Sequence, residues 1–456
     1  MTADTYDVVN PATERVVASV PVAGPPEADA AVERAAAAYA SWRAVAPRDR
    51  ARLLRRAADA VDGSREELAQ LETRNTGKPI RDSRAEMEMV AETFAYYAGA
   101  PERLLGDTIP VTGGVDVTFR EPLGVVALIV PWNFPLTIAA WKLAPALAAG
   151  NTVVLKPAEL TPLTALRFQE LAQEAGIPPG VVNVLPGRGS VVGRRLVEHP
   201  KVAKVAFTGS TEVGREIMAA AAGTIKRVTL ELGGKSANVV FADADLASAA
   251  ASAPYAVFGN AGQDCCARSR ILVERSAYDE FLALLEPAVH GVRVGDPRDE
   301  ATEMGPLISA GQRDTVASYV PAAAPVVIRG SVPEGKGYWY PPTVLAPADR
   351  SDRAVREEIF GPVAVVLPFD SEDDAVRLAN DSIYGLSGSI WTRDGARALR
   401  MARAIESGNL SVNSHRSVRV VTPFGGFKQS GVGRELGPHA LDAYTEVKNV
   451  FLSTEG

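Results

Sequence analysis

Two cysteines occur in the chain and they are adjacent, in the run Gly262-Gln263-Asp264-Cys265-Cys266. A cysteine after a glycine-containing turn suits a nucleophile, provided its thiol is accessible and can ionise. The same residue type serves equally well as a small buried apolar group, so the pair alone decides nothing. A general base would shift the balance. The four histidines, His199, His290, His415 and His439, are scattered, and none lies near the cysteines in sequence. With two cysteines beside them they offer no zinc-site spacing, and no metal is expected. The carboxylate that stands out is Glu231, in Leu230-Glu231-Leu232-Gly233-Gly234-Lys235. Apolar neighbours raise a carboxyl pKa and poise it as a base, against the plainer reading of a solvated strand-end glutamate. Asn133, in Pro131-Trp132-Asn133-Phe134-Pro135, offers an amide donor suited to an oxyanion. It is also a common turn former between prolines.

Two glycine-rich runs could face phosphate. Gly187 to Gly193 reads G-x-G-x-x-x-G, which misses the usual dinucleotide-binding spacing by one residue. Phe207-Thr208-Gly209-Ser210 follows a β-prone run and opens a helical one, and lacks the Gly-Lys-Ser/Thr of a nucleotide triphosphatase loop. A strand, a tight turn and a helix N-terminus together still make an anion site.

The elements that must hold these residues alternate. Val125 to Val130, Thr152 to Leu155, Val181 to Val184 and Val202 to Phe207 are apolar and rich in β-branched residues. Helical stretches Thr137 to Ala149, Thr161 to Ala175 and Ser190 to Glu198 lie between them. This alternation predicts βαβ units and a parallel sheet buried on both faces. Pro131 to Pro135 then falls at the carboxyl end of a strand, where open α/β sheets bind ligands. A second α/β rhythm has strands at Ala237 to Phe241, Arg270 to Val273, Val363 to Phe369 and Ser387 to Trp391, with helices at Leu246 to Phe258 and Asp374 to Ala379. Gly233-Gly234, read as a flexible pair, separates the two. Before them, Ala30 to Ala44 and Arg48 to Val61 are helical, and Ser64-Arg65-Glu66-Glu67 has the form of a capping box opening a helix that Thr76-Gly77-Lys78-Pro79 ends. A hairpin is expected around Gly113-Gly114, and Thr445 to Leu452 is β-prone. Exposed strands of this kind usually find a partner edge, which points to oligomerisation.

The composition sets limits. At 456 residues the chain should form two or three domains. Hydrophobic residues at 46% and charged residues at 23% exclude a disordered or fibrous chain. A net charge of −7 without a long basic run argues against nucleic acid or anionic membrane as partner. No apolar run approaches the roughly 18 residues needed to cross a bilayer. The start, Met1 to Glu14, does not read as a secretory signal, and with no disulfide framework possible a reducing, cytoplasmic location is expected.

Taken in order, these motifs resemble the NAD(P)-dependent aldehyde dehydrogenase superfamily. The resemblance rests also on Lys156-Pro157-Ala158-Glu159, Glu358-Ile359-Phe360-Gly361-Pro362 and Pro423-Phe424-Gly425-Gly426-Phe427-Lys428, and it covers nearly the whole chain. It implies an α/β fold: a Rossmann-like NAD-binding domain (residues 1–105 and 124–233), an α/β catalytic domain (234–425) and oligomerisation segments (106–123 and 426–456). It also implies a homodimer or homotetramer. Cys265 rather than Cys266 takes the nucleophile's place, 34 residues beyond Glu231, the general base, with Asn133 holding the oxyanion. Lys156 and Glu159 would hold the adenosine ribose, and Ser210, with Thr208 and Gly209, would meet the pyrophosphate. Glu358 would bond the nicotinamide ribose, with Phe360, Gly233, Pro131 and Trp132 lining the same crevice. Phe134, Trp141 and Phe424 would wall the tunnel for a small aldehyde. The closest look is to the betaine- and aminoaldehyde-oxidising branch. The loop Ser414 to Val421 carries Arg416 and Arg419 and no acid, which suits a semialdehyde carboxylate instead. Arg268 stands where the family often has a small residue. A CoA-acylating enzyme is disfavoured because Glu231 is retained, and a catalytically silent scaffold because Cys265, Glu231 and Asn133 all are. Cys266 could shield Cys265 under oxidation.

Overall fold

A computed structural model of the protein describes residues 4–347 and 349–455. Two parallel sheets dominate it. The first has six strands in the order Gly431–Val432, Arg227–Glu231, Val202–Thr208, Val125–Ile129, Thr152–Lys156, Val182–Val184. The last five run parallel, while Gly431–Val432 pairs antiparallel with the edge strand. Val125–Ile129 is flanked by Thr152–Lys156 on one side and Val202–Thr208 on the other, so the strand order reverses there. The crevice beyond its carboxyl end is the expected ligand site. Both faces are covered, which is why Val125–Ile129 and Thr152–Lys156 are buried at every residue. One face packs on the helix Pro135–Ala149, every residue of which is buried.

The second sheet has seven strands, ordered Val326–Arg329, Thr343–Leu345, Val363–Phe369, Arg270–Glu274, Ala237–Val240, Ser387–Trp391, Asn409–Val412. All neighbours are parallel except the first pair. A third sheet joins Thr108–Val111, Gly114–Pro122 and Thr445–Ser453, all antiparallel. The two segments expected to seek a partner edge thus first find each other.

Three local readings change. Ser64 makes no capping bond with its side chain; its N–H bonds the Ala60 carbonyl, and two helices, Pro47–Gly63 and Arg65–Thr76, meet almost end to end there. The glycines Gly233 and Gly234 provide closeness, not flexibility. A side chain at Gly233 would collide with the Glu358 carboxylate, and one at Gly234 with the Cys265 carbonyl. Gly187 to Gly193 opens no ordinary helix turn; Gly189–Gly193 is a π-turn leading into the helix Arg194–Glu198.

Candidate active site

The cysteine loop follows the helix Leu246–Phe258. Asn260, Ala261 and Gly262 all take positive φ, winding the backbone left-handed just before Gln263. Cys265 is half-buried and Cys266 buried. The Cys266 N–H is held by the Asp264 carboxylate (2.8 Å). Among the described residues the Cys265 N–H bonds no protein group, leaving it free for a ligand oxygen. A hydrogen bond with Cys266, burial, and the nearby Asp264 and Glu358 all push the Cys265 thiol well above its ordinary range. The ligand-capable atoms of Asp264, Cys265 and Cys266 lie within 4.8 Å of one another, the closeness of three consecutive residues in one turn.

Asn133 sits beyond the carboxyl end of Val125–Ile129, as the sequence predicts, and is buried. Its Nδ2 donates to the Gln263 carbonyl (2.9 Å), which ties it to the cysteine loop and leaves its second N–H available. Its own carbonyl accepts from Asn260 Nδ2 and from Lys78 Nζ, both at 2.9 Å. Lys78 is buried, ion-paired with Glu86, and lies 4.1 Å from the centre of the Phe134 ring.

Glu231 ends its strand and is fully enclosed, not solvated. Neither carboxylate oxygen has a partner. Its Oε1 faces Gly425, where a side chain would crowd it. Burial first, then the neighbouring Glu435 carboxylate, raise the Glu231 pKa well above the usual range; Lys142 and Arg434 oppose, and Cys266 adds to the rise. Lys142 lies on the buried helix and pairs with Glu435 while donating to Thr208 Oγ1 (2.7 Å). Thr208 is thus tied to this charge group rather than free at the phosphate turn. Lys142, Glu435 and Lys78 escaped the sequence reading. A lone lysine inside the apolar run from Pro135 to Ala149 was the available signal for the first.

Most of the residues expected to hold the cofactor lie beyond the carboxyl ends of the first sheet, while Glu358 and Phe360 precede Val363–Phe369 of the second. Lys156 closes its strand and is buried beside Glu159, with its Nζ facing the open backbone of Gly189. Tyr6, whose buried hydroxyl has no partner, is close enough to Glu159 for that carboxylate to help raise its pKa to about 12. Ser210 caps the twelve-residue helix Thr211–Ala222, accepting from the Val213 N–H (3.3 Å). A side chain at Gly209 would strike the Phe207 ring, so the turn stays bare. Glu358 accepts from the Gly234 N–H (2.9 Å), and burial pushes its carboxyl up to about 7. Phe360, at positive φ, meets the edge of Trp132 with ring centres 5.1 Å apart. Bare glycines, a buried lysine, an unbonded tyrosine hydroxyl and a helix N-terminus on one crevice fit a dinucleotide.

Trp141 and Phe424 are in contact (ring centres 5.1 Å apart) and pack, with Phe134 and both cysteines, in one apolar cluster. The tunnel residues and the thiol loop are brought together. Arg416 and Arg419 are exposed, whereas Arg268 is buried. Among the described residues no helix is long and apolar enough to cross a membrane.

Residues 1–450 match the family model described as "Aldehyde dehydrogenase family". The betaine aldehyde dehydrogenase of Bacillus subtilis (strain 168) is 41% identical, over 98% of this chain and 94% of its own length. The phenylacetaldehyde dehydrogenase of Pseudomonas fluorescens is 45% identical, over 98% and 93%. The NAD+ complex of an aldehyde dehydrogenase from Bacillus cereus superposes with a TM-score of 0.97 at 43% identity, covering 99% of this chain and 94% of that one. The chain belongs to the aldehyde dehydrogenase family, an enzyme family, and the α/β fold expected from the sequence is the one observed. The expected cofactor, NAD, is the one that relative's structure holds.

Proposed function

We propose that the protein oxidises a small aldehyde to its carboxylic acid, with NAD as electron acceptor and water as the source of the added oxygen. The observation that carries this reading is Glu231: a buried carboxylate with two unbonded oxygens, within electrostatic reach of Cys266, whose neighbour Cys265 has a free backbone N–H.

Cys265 passes its proton to water, which carries it to bulk solvent, and its sulfur attacks the aldehyde carbon, forming a thiohemiacetal. The oxyanion is held by the free Asn133 N–H and the Cys265 backbone N–H; one such donor is worth about 3 kcal/mol of barrier. NAD, when bound, accepts the hydride from that carbon, which becomes a thioester on Cys265. Glu231 then takes a proton from water, the resulting hydroxide attacks the thioester, and the acid leaves as the Cys265 thiolate is restored. Glu231 acts in its ionised form, which the positive charge of Lys142 beside Glu435 favours, and the proton it takes passes on to solvent. Lys156 and Glu159 hold the adenosine ribose. The turn at Gly209 and Ser210 takes the pyrophosphate, and Glu358 the nicotinamide ribose, with Gly233, Pro131, Trp132 and Phe360 around it. A retained base favours hydrolysis over transfer to CoA.

For the substrate, the motif resemblance points to an aminoaldehyde or betaine-type aldehyde, with an acidic semialdehyde as the alternative. Relatives named for betaine aldehyde and for phenylacetaldehyde are 41% and 45% identical, so overall likeness does not choose. A homodimer or homotetramer is supported by the third sheet, which leaves Ile109, Phe119, Val447, Phe451 and Leu452 exposed along both outer strands and the centre. The three larger sheets support a division into NAD-binding, catalytic and oligomerisation parts, although Gly431–Val432 joins the first sheet and Phe427–Lys428 pairs with Tyr384–Gly385. Two free thiols support a reducing, cytoplasmic setting.

The test is NADH formation, read at its near-ultraviolet absorbance, on adding a reactive aldehyde. Cys265→Ala should abolish turnover with NAD binding retained, and Cys266→Ser should keep most of it. Equal loss in both variants shows that the nucleophile is misassigned.

A further inference from the structure

Arg268 is 4% exposed, yet among the described residues it makes no ion pair. Its Nη1 donates to the Cys266 carbonyl (2.9 Å), its Nη2 to Ser417 Oγ (2.8 Å), and its Nε has no partner. Arg270, two residues on, shows what a structural arginine looks like here. Its Nε, Nη1 and Nη2 all end on backbone carbonyls, of Lys235, Leu378 and Ala379, at 2.8 Å each. Arg268 keeps unspent donors and an uncompensated charge, an expensive state for a buried guanidinium.

Its place gives the charge a use. The Arg268 backbone N–H bonds the Ala256 carbonyl (2.9 Å), next to Tyr255, on which His415 stacks. Burial first, then Arg268 and Arg416, disfavour protonation of His415, so both guanidiniums act on that ring. Ser417, held by Arg268, precedes Val418, which packs against the cluster containing Trp141, Phe424 and the cysteines. Two nearby acids are matched, Glu86 by Lys78 and Glu303 by Arg81 and the Tyr255 hydroxyl, while Asp264, beside the thiol, accepts from the Cys266 N–H. On the side of His415 the charges are those of two guanidiniums, Arg268 and Arg416. A cationic substrate head fits poorly for a second reason, since the ammonium of Lys78 already occupies a face of Phe134.

We propose that Arg268 is a specificity residue that recognises a carboxylate on a short aldehyde substrate, with Arg416 at the mouth drawing the anion in. This rests on the aldehyde-oxidising reading and, for the substrate, takes the acidic semialdehyde over the aminoaldehyde to which the motif resemblance points. Guanidinium and carboxylate match as a two-bond pair, and the pairing would supply the counter-charge that the fold withholds. The acid formed is then a dicarboxylate, and the step that supplies the substrate is one that leaves an aldehyde on an already acidic carbon chain.

The experiment compares succinic semialdehyde, butanal and γ-trimethylaminobutyraldehyde at saturating NAD. In the wild-type enzyme kcat/KM for succinic semialdehyde should exceed that for butanal by at least about tenfold, with the cation lowest. In Arg268→Met that ratio should fall towards one. Arg268→Gln, which keeps a donor for Ser417 without the charge, should lower it as well, and Arg268→Lys should restore part of it. Wild-type preference for butanal or the cation overturns the proposal without any variant. So does a uniform loss on all three aldehydes with the ratio unchanged, which makes Arg268 a clamp between two loops. NADH from none of the three would instead overturn the aldehyde-oxidising reading itself.

Discussion

Gly259 and Gly262 lie three residues apart in the turn that delivers Cys265, and replacing each by alanine should have opposite effects. At Gly262, φ is +70° and an added Cβ would stand 2.1 Å from the Gly361 carbonyl oxygen, with Pro362 N at 2.7 Å. The obstacle is backbone, which cannot swing aside. Reaching ordinary contact at 3.4 Å requires the cysteine loop and the Glu358–Pro362 segment to part by about 1.3 Å, taking 3.4 less 2.1. The left-handed conformation costs alanine about 1–2 kcal/mol and the overpacking about 1–3, so Gly262→Ala should lose roughly 2–5 kcal/mol. A shift of about 1 Å at reacting atoms costs on the order of a hundredfold in rate. Glu358 lies on the displaced segment, so the KM for NAD should rise together with the fall in kcat. At Gly259, φ is −50° and an added Cβ meets nothing within 4 Å. Gly259→Ala should therefore be neutral or stabilising by about 0.4–1 kcal/mol, through a less flexible unfolded chain. Thermal melts and steady-state kinetics on both variants are the assay. If Gly262→Ala keeps kcat within about twofold of wild type, the positional argument for the cysteine turn is wrong.

Glu231→Gln should slow thioester hydrolysis more than hydride transfer, because an amide cannot take the water proton; stopped-flow traces should show an NADH burst followed by slow turnover, and neither burst nor rate loss would remove Glu231 from the scheme. Glu159→Ser should relax a preference for NAD over NADP, since a 2′-phosphate brings about two negative charges to the carboxylate beside Lys156; a wild-type enzyme faster with NADP contradicts this. Glu358 has a carboxyl raised by burial to about 7 from an ordinary 4.5, so its contribution to stability is complete below about 4.5 and declines as pH rises through 7. Some 2.5 units correspond to about 3 kcal/mol. Glu358→Gln should flatten the fall in Tm between about pH 5 and pH 7.5, and an unchanged slope would show that the group is not titrating there.

Strands that are short apolar runs beside glycine or proline were legible: Val125–Ile129, which leads to Asn133, follows Gly124, and Val363–Phe369 follows Pro362. Helices with polar or interrupted patterns were missed, among them Ile80–Ala98, Tyr278–His290 and Gly395–Ala404. Asn133, Cys265 and Glu231 could be named from local runs. Their surroundings could not. Lys78 reaches Asn133 across 55 positions, and Lys142 reaches Glu435 across 293. Such pairings depend on chain topology, which no local window contains. The reversal of strand order at Val125–Ile129 is what turns separate motifs into one crevice.

The distance between Lys142 and Glu435 along the chain also sets a timetable. At about 5–20 residues per second, Glu435 is made roughly 15–60 s after Lys142. Through that interval the growing chain can assemble five strands of the first sheet but cannot bury the lysine against its carboxylate. The strand Gly431–Val432, which lies against Glu231, arrives equally late. Glu231, the base proposed above, is therefore enclosed only when more than nine-tenths of the protein has been synthesised, and a nascent chain interrupted earlier carries the cysteine loop without that enclosure. Loss of the final stretch from Phe427 onward would do more than remove an edge strand: it would leave an ammonium stranded in an apolar helix, a defect that quality-control proteases meet as persistent local opening.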